Sequence, residues 1–470
     1  MTGQAVNSAL RIYIISIHIS ISDYIFGYTI GVFNTCQDNV AYTMGWSSSE
    51  QAFYLTVFST FIPVGAFFGS FFTGFACNKY GRLGGMAIMN FVVLMGSILS
   101  SIPITGVFGV GRLICGFGVG MCLAIAPTYL SELTPQEYMG RVGPIMSLML
   151  YLGLTTSYSF ALILPNNHFS ESINDFWIIM FIFPGIIAIY QFIYFIFILK
   201  YDSPIYYLRT KQFNKYKDVL SFIYSNPDIP NDEDLNTKAE NIEGLSENID
   251  LKDLICSKTY SKMFRIGFIL ASLQQISGVN AIISYSFSIY TGMGLNSQES
   301  KIFTVFIGVT ALITSFLMIF ILNHIGRKTL LLVGFFGISV ILMLMGLISQ
   351  FAPEQTYLLA GLVLVYFIFF AGSLQAVLWS YIGEIQNEKA IGISAAGNYF
   401  VNVIVNLIFP IVANSLGIYY TFYFFCIWMI LGGIYIGLDT FETKAKSKEE
   451  IELKLFGKNT YSITSPNDNE

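Results

Sequence analysis

The chain has 470 residues, of which 54% are hydrophobic, 16% aromatic and only 11% charged, with a formal net charge of −5. A soluble chain of this length would carry roughly 25% charged residues and split into two or three domains, so composition excludes the ordinary globular classes. Net acidity without a basic cluster excludes a nucleic-acid partner, and what remains is a protein whose main partner is the lipid bilayer.

Apolar runs of about 20 residues, the length that crosses a bilayer core, recur along the chain. The first starts near Ile12 and continues through Phe26-Gly27-Tyr28 with no small-residue cleavage site, which predicts a retained helix over 12–33. Further spans are expected at 52–76, 84–103, 106–130, 142–164 and 176–200. A polar insert at 201–261, with Lys211, Lys215, Lys217, Asp232, Glu233, Asp234 and Glu240, cannot enter the membrane and predicts short surface helices. Six more spans follow at 263–291, 300–322, 329–350, 357–383, 392–415 and 418–438. The expected organisation is an all-α bundle with residues 1–200 and 262–440 as two six-helix halves. The insert 201–261 links them and 441–470 form a tail.

Lys and Arg are retained in cytoplasmic loops. Lys79, Arg82, Arg141, Arg327, Lys328, the insert and the tail hold most of them, whereas Lys301 alone lies on the opposite side, so both termini are expected in the cytoplasm. The six cysteines are scattered without metal-ligand spacing, which predicts buried free thiols and no metal. No Asn-x-Ser/Thr acceptor occurs, so N-glycosylation is not expected.

The two halves echo each other. Asn78-Lys79-Tyr-Gly81-Arg82 follows the second span and Asn323-His324-Ile-Gly326-Arg327-Lys328 the eighth; Ser131-Glu132 closes the fourth and Gly383-Glu384 the tenth. Repetition at matched places points to a pseudo-symmetric transporter whose halves rock about a central site, and no ring of charges or carbonyls suggests a channel.

Longer strings then align over nearly the whole chain. They include Phe26-Gly27-Tyr28-Thr29-Ile30-Gly31, Gly111-Arg112, Pro127-Thr-Tyr129-Leu-Ser131-Glu132, Asp202-Ser203-Pro204, Gln274-Gln275-Ile-Ser277-Gly278-Val-Asn280 and Phe441-Glu442-Thr443. This resembles the sugar porter family of the major facilitator superfamily, with apicomplexan hexose transporters and facilitative glucose transporters as the nearest in wording. The resemblance implies twelve helices, a monosaccharide substrate with D-glucose first, no cofactor and no catalysed reaction. It also implies a plasma-membrane location and function as a monomer. Another polyol or metabolite on the same fold, or a non-transporting sugar sensor, are the alternatives; a sensor would need a longer tail.

A hexose offers hydroxyls that donate and accept together, which calls for amides beside an aromatic wall. Gln274, Gln275 and Asn280 supply amides in an otherwise apolar span, and Gly278 between them favours a broken helix. By resemblance these three contact sugar, Trp379 stacks beside it, and Asn402 and Asn406 match positions of the eleventh span. Departures are Ser147 for a usual glutamine, Ala311 for an asparagine, Ala371 for an acid, and Gln375-Ala376 for Gly-Pro; Gln375 is expected to turn inward in compensation.

The resemblance also implies a cytoplasmic gate of Arg82, Glu132, Arg141, Arg327, Lys328 and Glu384. Its loop acids are amides here, Asn78 and Asn323, and two further arginine positions fall on Met139 and Ile391, so a thinner gate is expected to favour opening toward the cytoplasm. Proton symporters of the family carry an acid after Phe-Gly-Tyr, facing an arginine. Here Thr29 takes that place opposite Arg112, which predicts uniport and a structural Arg112.

Overall fold

The computed structural model describes residues 6–165, 175–225, 227, 230–247, 254, 257, 260–322, 324–386, 388–444, 446 and 448–456. Eleven helices among them are long and apolar enough to cross a membrane. Span 1 is Ala9–Met44, capped by the Ser8 hydroxyl at its start and by Gly45 in the left-handed conformation at its end. The next helix, Ser48–Ser100, has 53 residues and bends where Gly81 takes φ 79° and ψ 179°. Its arms on either side of Gly81 fall on the expected spans 2 and 3 and are numbered so here.

Span 4 is Thr105–Leu133, and span 5 runs Gln136–Phe160 into a 3₁₀ turn at Ala161–Ile163. Span 6 is Phe176–Ile193 with a π-helical turn at Tyr194–Leu199. In the insert, short helices form at Pro204–Arg209, Phe213–Ile223 and Asp232–Glu247. Span 7 is broken into Tyr260–Ile276 and Val279–Gly292, spans 8 and 9 are Ser297–Ile321 and Arg327–Phe351, and span 10 is Thr356–Ile385 with a π-helical turn at Phe370–Gln375. Spans 11 and 12 are Glu388–Ser415 and Ile418–Asp439. Spans 2 and 8 both start at a reciprocal cap, Ser47 with Glu50 and Asn296 with Glu299, so the repetition extends beyond the basic loops.

The N-terminus joins the insert: Asn7 Nδ2 donates to the Ser221 carbonyl at 2.6 Å and Arg11 to the Phe222 carbonyl at 3.1 Å. The bundle end bearing these residues is called the insert face below, and the other end the far face. Spans 1–6 and 7–12 pack mainly within their own set and meet along three seams, span 1 on span 7, span 2 on span 11 and span 5 on span 8. Rows of Phe, Leu and Ile such as Phe68, Phe71, Phe75, Phe316 and Phe320 stay exposed, as lipid contact requires. Cys36, Cys77, Cys115, Cys122 and Cys426 are free and buried; Cys256 lies outside the described residues.

Candidate functional site

The centre of the bundle is built from the broken span. Gly278 sits at φ 84°, a left-handed conformation that L side chains rarely adopt, and it ends one helical piece while capping the next. The break turns Gln274, Gln275 and Asn280 toward span 11. Asn280 Nδ2 donates to Gln275 Oε1, and Gln275 Nε2 donates to Asn398 Oδ1 at 2.8 Å. Asn398 Nδ2 in turn donates to the Ala271 carbonyl at 2.6 Å and to Gln274 Oε1 at 3.2 Å. Further along span 11, Asn406 Nδ2 donates to Asn402 Oδ1, while Asn406 Oδ1 has no partner among the described residues. Buried amides thus form a chain with free donor and acceptor capacity at its cavity end, where an apolar core would leave none.

A cavity lies between the two six-span sets. Asn280, Ser284, Tyr399, Asn402 and Asn406 line it from one side, and Phe26, Phe33, Asn34, Ser59 and Arg112 are among its lining on the other. Its space open to water is about 20 Å³, room for one or two waters by the roughly 10–15 Å³ each requires, so the walls are drawn together in this state.

Of the residues expected here, Asn280, Asn402 and Asn406 reach the cavity, and Gln275 and Gln274 back them through Asn398. Trp379 and Gln375 are half-buried on span 10 and Ser147 half-buried on span 5, none of them on the cavity wall. Span 10 is loosened despite lacking Gly-Pro, by the π-helical turn that ends at Gln375. Asn398 escaped the sequence reading, although Asn398, Asn402 and Asn406 follow one another at the i, i+4 spacing of a single helix face.

Arg112 is buried, its guanidinium donating to the Thr29 carbonyl at 3.1 Å and lying 5.4 Å from the Phe33 ring and 5.7 Å from the Phe181 ring. Thr29 itself turns its hydroxyl back to the Ile25 carbonyl. Position 29 therefore meets Arg112 through backbone only.

Polar bonds join the two sets toward the far face. Asn34 Nδ2 donates to Ser286 Oγ at 2.6 Å and Asn34 Oδ1 accepts the Phe287 amide; Gln37 Nε2 donates to Ser288 Oγ at 2.8 Å. Tyr158 donates to the Ile283 carbonyl, and the Lys301 ammonium to the Leu164 and Pro165 carbonyls at 3.0 and 3.3 Å. Asn34 and Gln37 were also missed; two amides a turn apart within an apolar run were the available signal.

The residues expected at the gate sit on the insert face, where two ion pairs form, each within one set. Arg82 meets Glu132 at 2.6 Å and Arg327 meets Glu384 at 3.4 Å. Lys328 donates to the Gly437 and Thr440 carbonyls at the end of span 12, Arg141 is exposed, and Asn78 Oδ1 accepts from Arg209 of the insert. Asn323 lies outside the described residues.

Behind each pair stands an acid. Asp202 accepts the backbone N–H groups of Arg82 at 2.9 Å and Leu83 at 3.1 Å, and Glu442 those of Arg327 at 2.8 Å and Lys328 at 3.2 Å. Each carboxylate caps the start of span 3 or span 9, where helix N–H groups lack partners. Only glycine admits them: a Cβ on Gly81 would stand 1.9 Å from Asp202 Oδ2, and one on Gly326 2.1 Å from Glu442 Oε2. Burial pushes the Asp202 carboxyl up to about 6 despite those bonds. Glu442 is also pushed up by burial, but the N–H bonds of Lys444, Arg327, Lys328 and Thr443 outweigh this and hold it below its usual range.

No cluster of metal-ligating side chains occurs among the described residues. The chain is 28% identical over 418 residues to hexose transporter 1 of Plasmodium knowlesi, covering 83% of this chain and 82% of that one. It is 29% identical over 400 residues to the glucose transporter GlcP of Staphylococcus epidermidis, covering 83% and 86%. In fold it matches the proton:xylose symporter XylE bound to 6-bromo-6-deoxy-D-glucose, with a TM-score of 0.77 at 20% identity over 94% of this chain and 99% of that one. The profile of the sugar (and other) transporter family matches residues 15–455. With two six-span sets about an amide-lined cavity and a profile match over nearly its whole length, the chain belongs to that family of membrane transporters, which are not enzymes.

Proposed function

We propose that the chain carries a hexose, D-glucose first, by alternating access between two halves, spans 1–6 and spans 7–12. The observation that carries this reading is the amide chain Gln274–Asn398–Gln275–Asn280 ending at a cavity shared by both halves. Amides that donate and accept together match sugar hydroxyls, and the names of the relatives point to hexoses. Gln274, Gln275, Asn280, Asn402 and Asn406 are the proposed sugar-site residues, with Asn398 supporting them. Trp379, Gln375 and Ser147 would join only as the halves move. Arg82–Glu132 and Arg327–Glu384 brace the gate.

In this reading the insert face is cytoplasmic, the protein is a monomer of the plasma membrane, and the far-face bonds of Asn34, Gln37, Tyr158 and Lys301 close the external entrance. With Thr29 in the place of the acid, transport is uniport. The test is uptake of labelled hexoses, pentoses and polyols by proteoliposomes. Saturable D-glucose uptake that other hexoses compete for is expected; uptake of a polyol without any hexose would replace this reading.

A further inference from the structure

Span 1 carries two acids, Asp38 near its far-face end, which accepts from Gln51, and Asp23 inside the apolar run 12–33, which the mechanism above does not use. It lies one turn from Phe26, on the insert-face side of the cavity, and is 3% exposed. Its Oδ2 has no hydrogen-bond partner among the described residues. An acid at such depth is costly unless it has a task, and it is a functional candidate by default.

The groups facing it come from both halves. Tyr399 of span 11 packs in one cluster with Phe26, one turn along from Asp23, and with Val119 and Leu123 of span 4, and both the Tyr399 phenol and the Cys122 thiol of span 4 lie within the field of Asp23. The Tyr399 hydroxyl is itself without a partner among the described residues, and Tyr399 lines the cavity. From spans 3 and 6, Met86 and Gln191 engage the neighbouring Ser22 rather than Asp23. The cation of span 4, Arg112, is held two turns away at the Thr29 carbonyl. An ionised carboxylate would stand here without a counter-charge, at several times the cost of the neutral acid. One carboxyl among a thiol and a phenol also lacks the six or more oxygen ligands that a hard metal cation takes, so the ligand that fits is a proton.

We propose that Asp23 is a proton-binding site at the floor of the cavity, and that the halves close over the sugar only while its carboxyl is protonated. Spans 1 and 4 belong to one half and span 11 to the other, so closure buries the carboxyl on the seam and opening at the insert face returns it to water. The sign follows. Exchange is fast when the carboxyl holds its proton and slows as pH rises through its titration. The device gates transport and does not concentrate sugar, because the proton enters and leaves on the insert face. The proposal rests on the alternating-access reading.

The experiment is D-glucose exchange in proteoliposomes, with the same pH on both sides and sugar at equal concentration. In the parent, exchange should fall about tenfold per pH unit above the midpoint, the slope of a single titrating site. Asp23→Asn, neutral at every pH, should be flat at the parent's acid level. A parent profile without this fall overturns the gate and leaves the hexose reading intact. An Asn variant that keeps the parent's slope, or that is lowered equally at every pH, assigns Asp23 a structural role and overturns the gate as well. Infrared spectroscopy supplies a readout that needs no transport. A protonated-carboxyl C=O band that disappears on raising the pH and is missing in Asp23→Asn is expected, and its absence from the parent overturns the proposal. If the parent moves no sugar at all while the band titrates, the hexose reading fails and the proton site stands.

Discussion

Gln275 holds the amide chain at its midpoint, and removing it has consequences that can be worked from the geometry. Its Nε2 donates to Asn398 Oδ1 at 2.8 Å and its Oε1 accepts from Asn280 Nδ2, the side chain that reaches the cavity. Gln275→Ala deletes both bonds and leaves Asn398 Oδ1 and Asn280 Nδ2 without these partners in a buried place. Each lost bond is worth about 0.5–1.5 kcal/mol net, so the pair contributes about 1–3 kcal/mol to holding Asn280 in place. With about 1.4 kcal/mol per tenfold, D-glucose uptake should fall between about fivefold and about 140-fold. The assay is zero-trans uptake by proteoliposomes with matched protein content, beside thermal unfolding to show that the variant folds. The expected split is a raised KM with a smaller change in maximal rate, because Gln275 acts through a binding group. Uptake equal to the parent's would refute the reasoning, since no sugar site could then depend on span 7 amides.

Uniport predicts that uptake ends at equal sugar concentrations inside and out; accumulation that a protonophore collapses would contradict it. Asp202, held at about 6, is raised above its unfolded value by burial, so its contribution to stability is present at low pH and is lost as pH rises from about 4 to 6. Asp202→Asn should remove that step from a profile of melting temperature against pH, measured in detergent; an unchanged step would assign it elsewhere. Asn34→Ala deletes two bonds between the halves on the far face, and single cysteines placed in each vestibule should then label more from the far face and less from the insert face. Labelling that stays as in the parent would show that these bonds do not hold the entrance shut.

Much of the fold was legible because the bilayer imposes a length on each helix. The expected runs 300–322 and 329–350 match Ser297–Ile321 and Arg327–Phe351 to within a few residues. Hydropathy missed what polarity does inside the membrane. Span 1 extends to Met44 rather than stopping at 33, because Asn34 and Gln37 find partners in span 7 that a window average cannot foresee. Gly278 announced the break in span 7, since few residues serve that conformation, whereas the π-helical turn before Ala376 has no such marker and appears only in the fold. Arg112, expected opposite Thr29 with no acid to meet, donates to the Thr29 carbonyl. Asp23 stands six residues before Thr29, outside the repeated strings, and its lack of a counter-charge appears only in the fold.

The paired carboxylate caps on the insert face have a mechanical consequence. Asp202, just past span 6, grips the first N–H groups of span 3, and Glu442, just past span 12, grips those of span 9, each through at least two bonds and with no room for a side chain between. Spans 3 and 6, and spans 9 and 12, are thereby riveted end to end, and bending one of a pair without the other would tear charge-assisted bonds from buried ground. These four spans behave as stiff outriggers that translate and tilt as blocks. Outside the riveted spans, the helices are interrupted at the 3₁₀ turn 161–163 in one half, and at the glycine break at 278 and the wide turn at 370–375 in the half bearing the amide chain. Flexure is therefore weighted toward one of two halves that repeat each other in sequence: the first serves more as the anvil, and the second bends around what it holds.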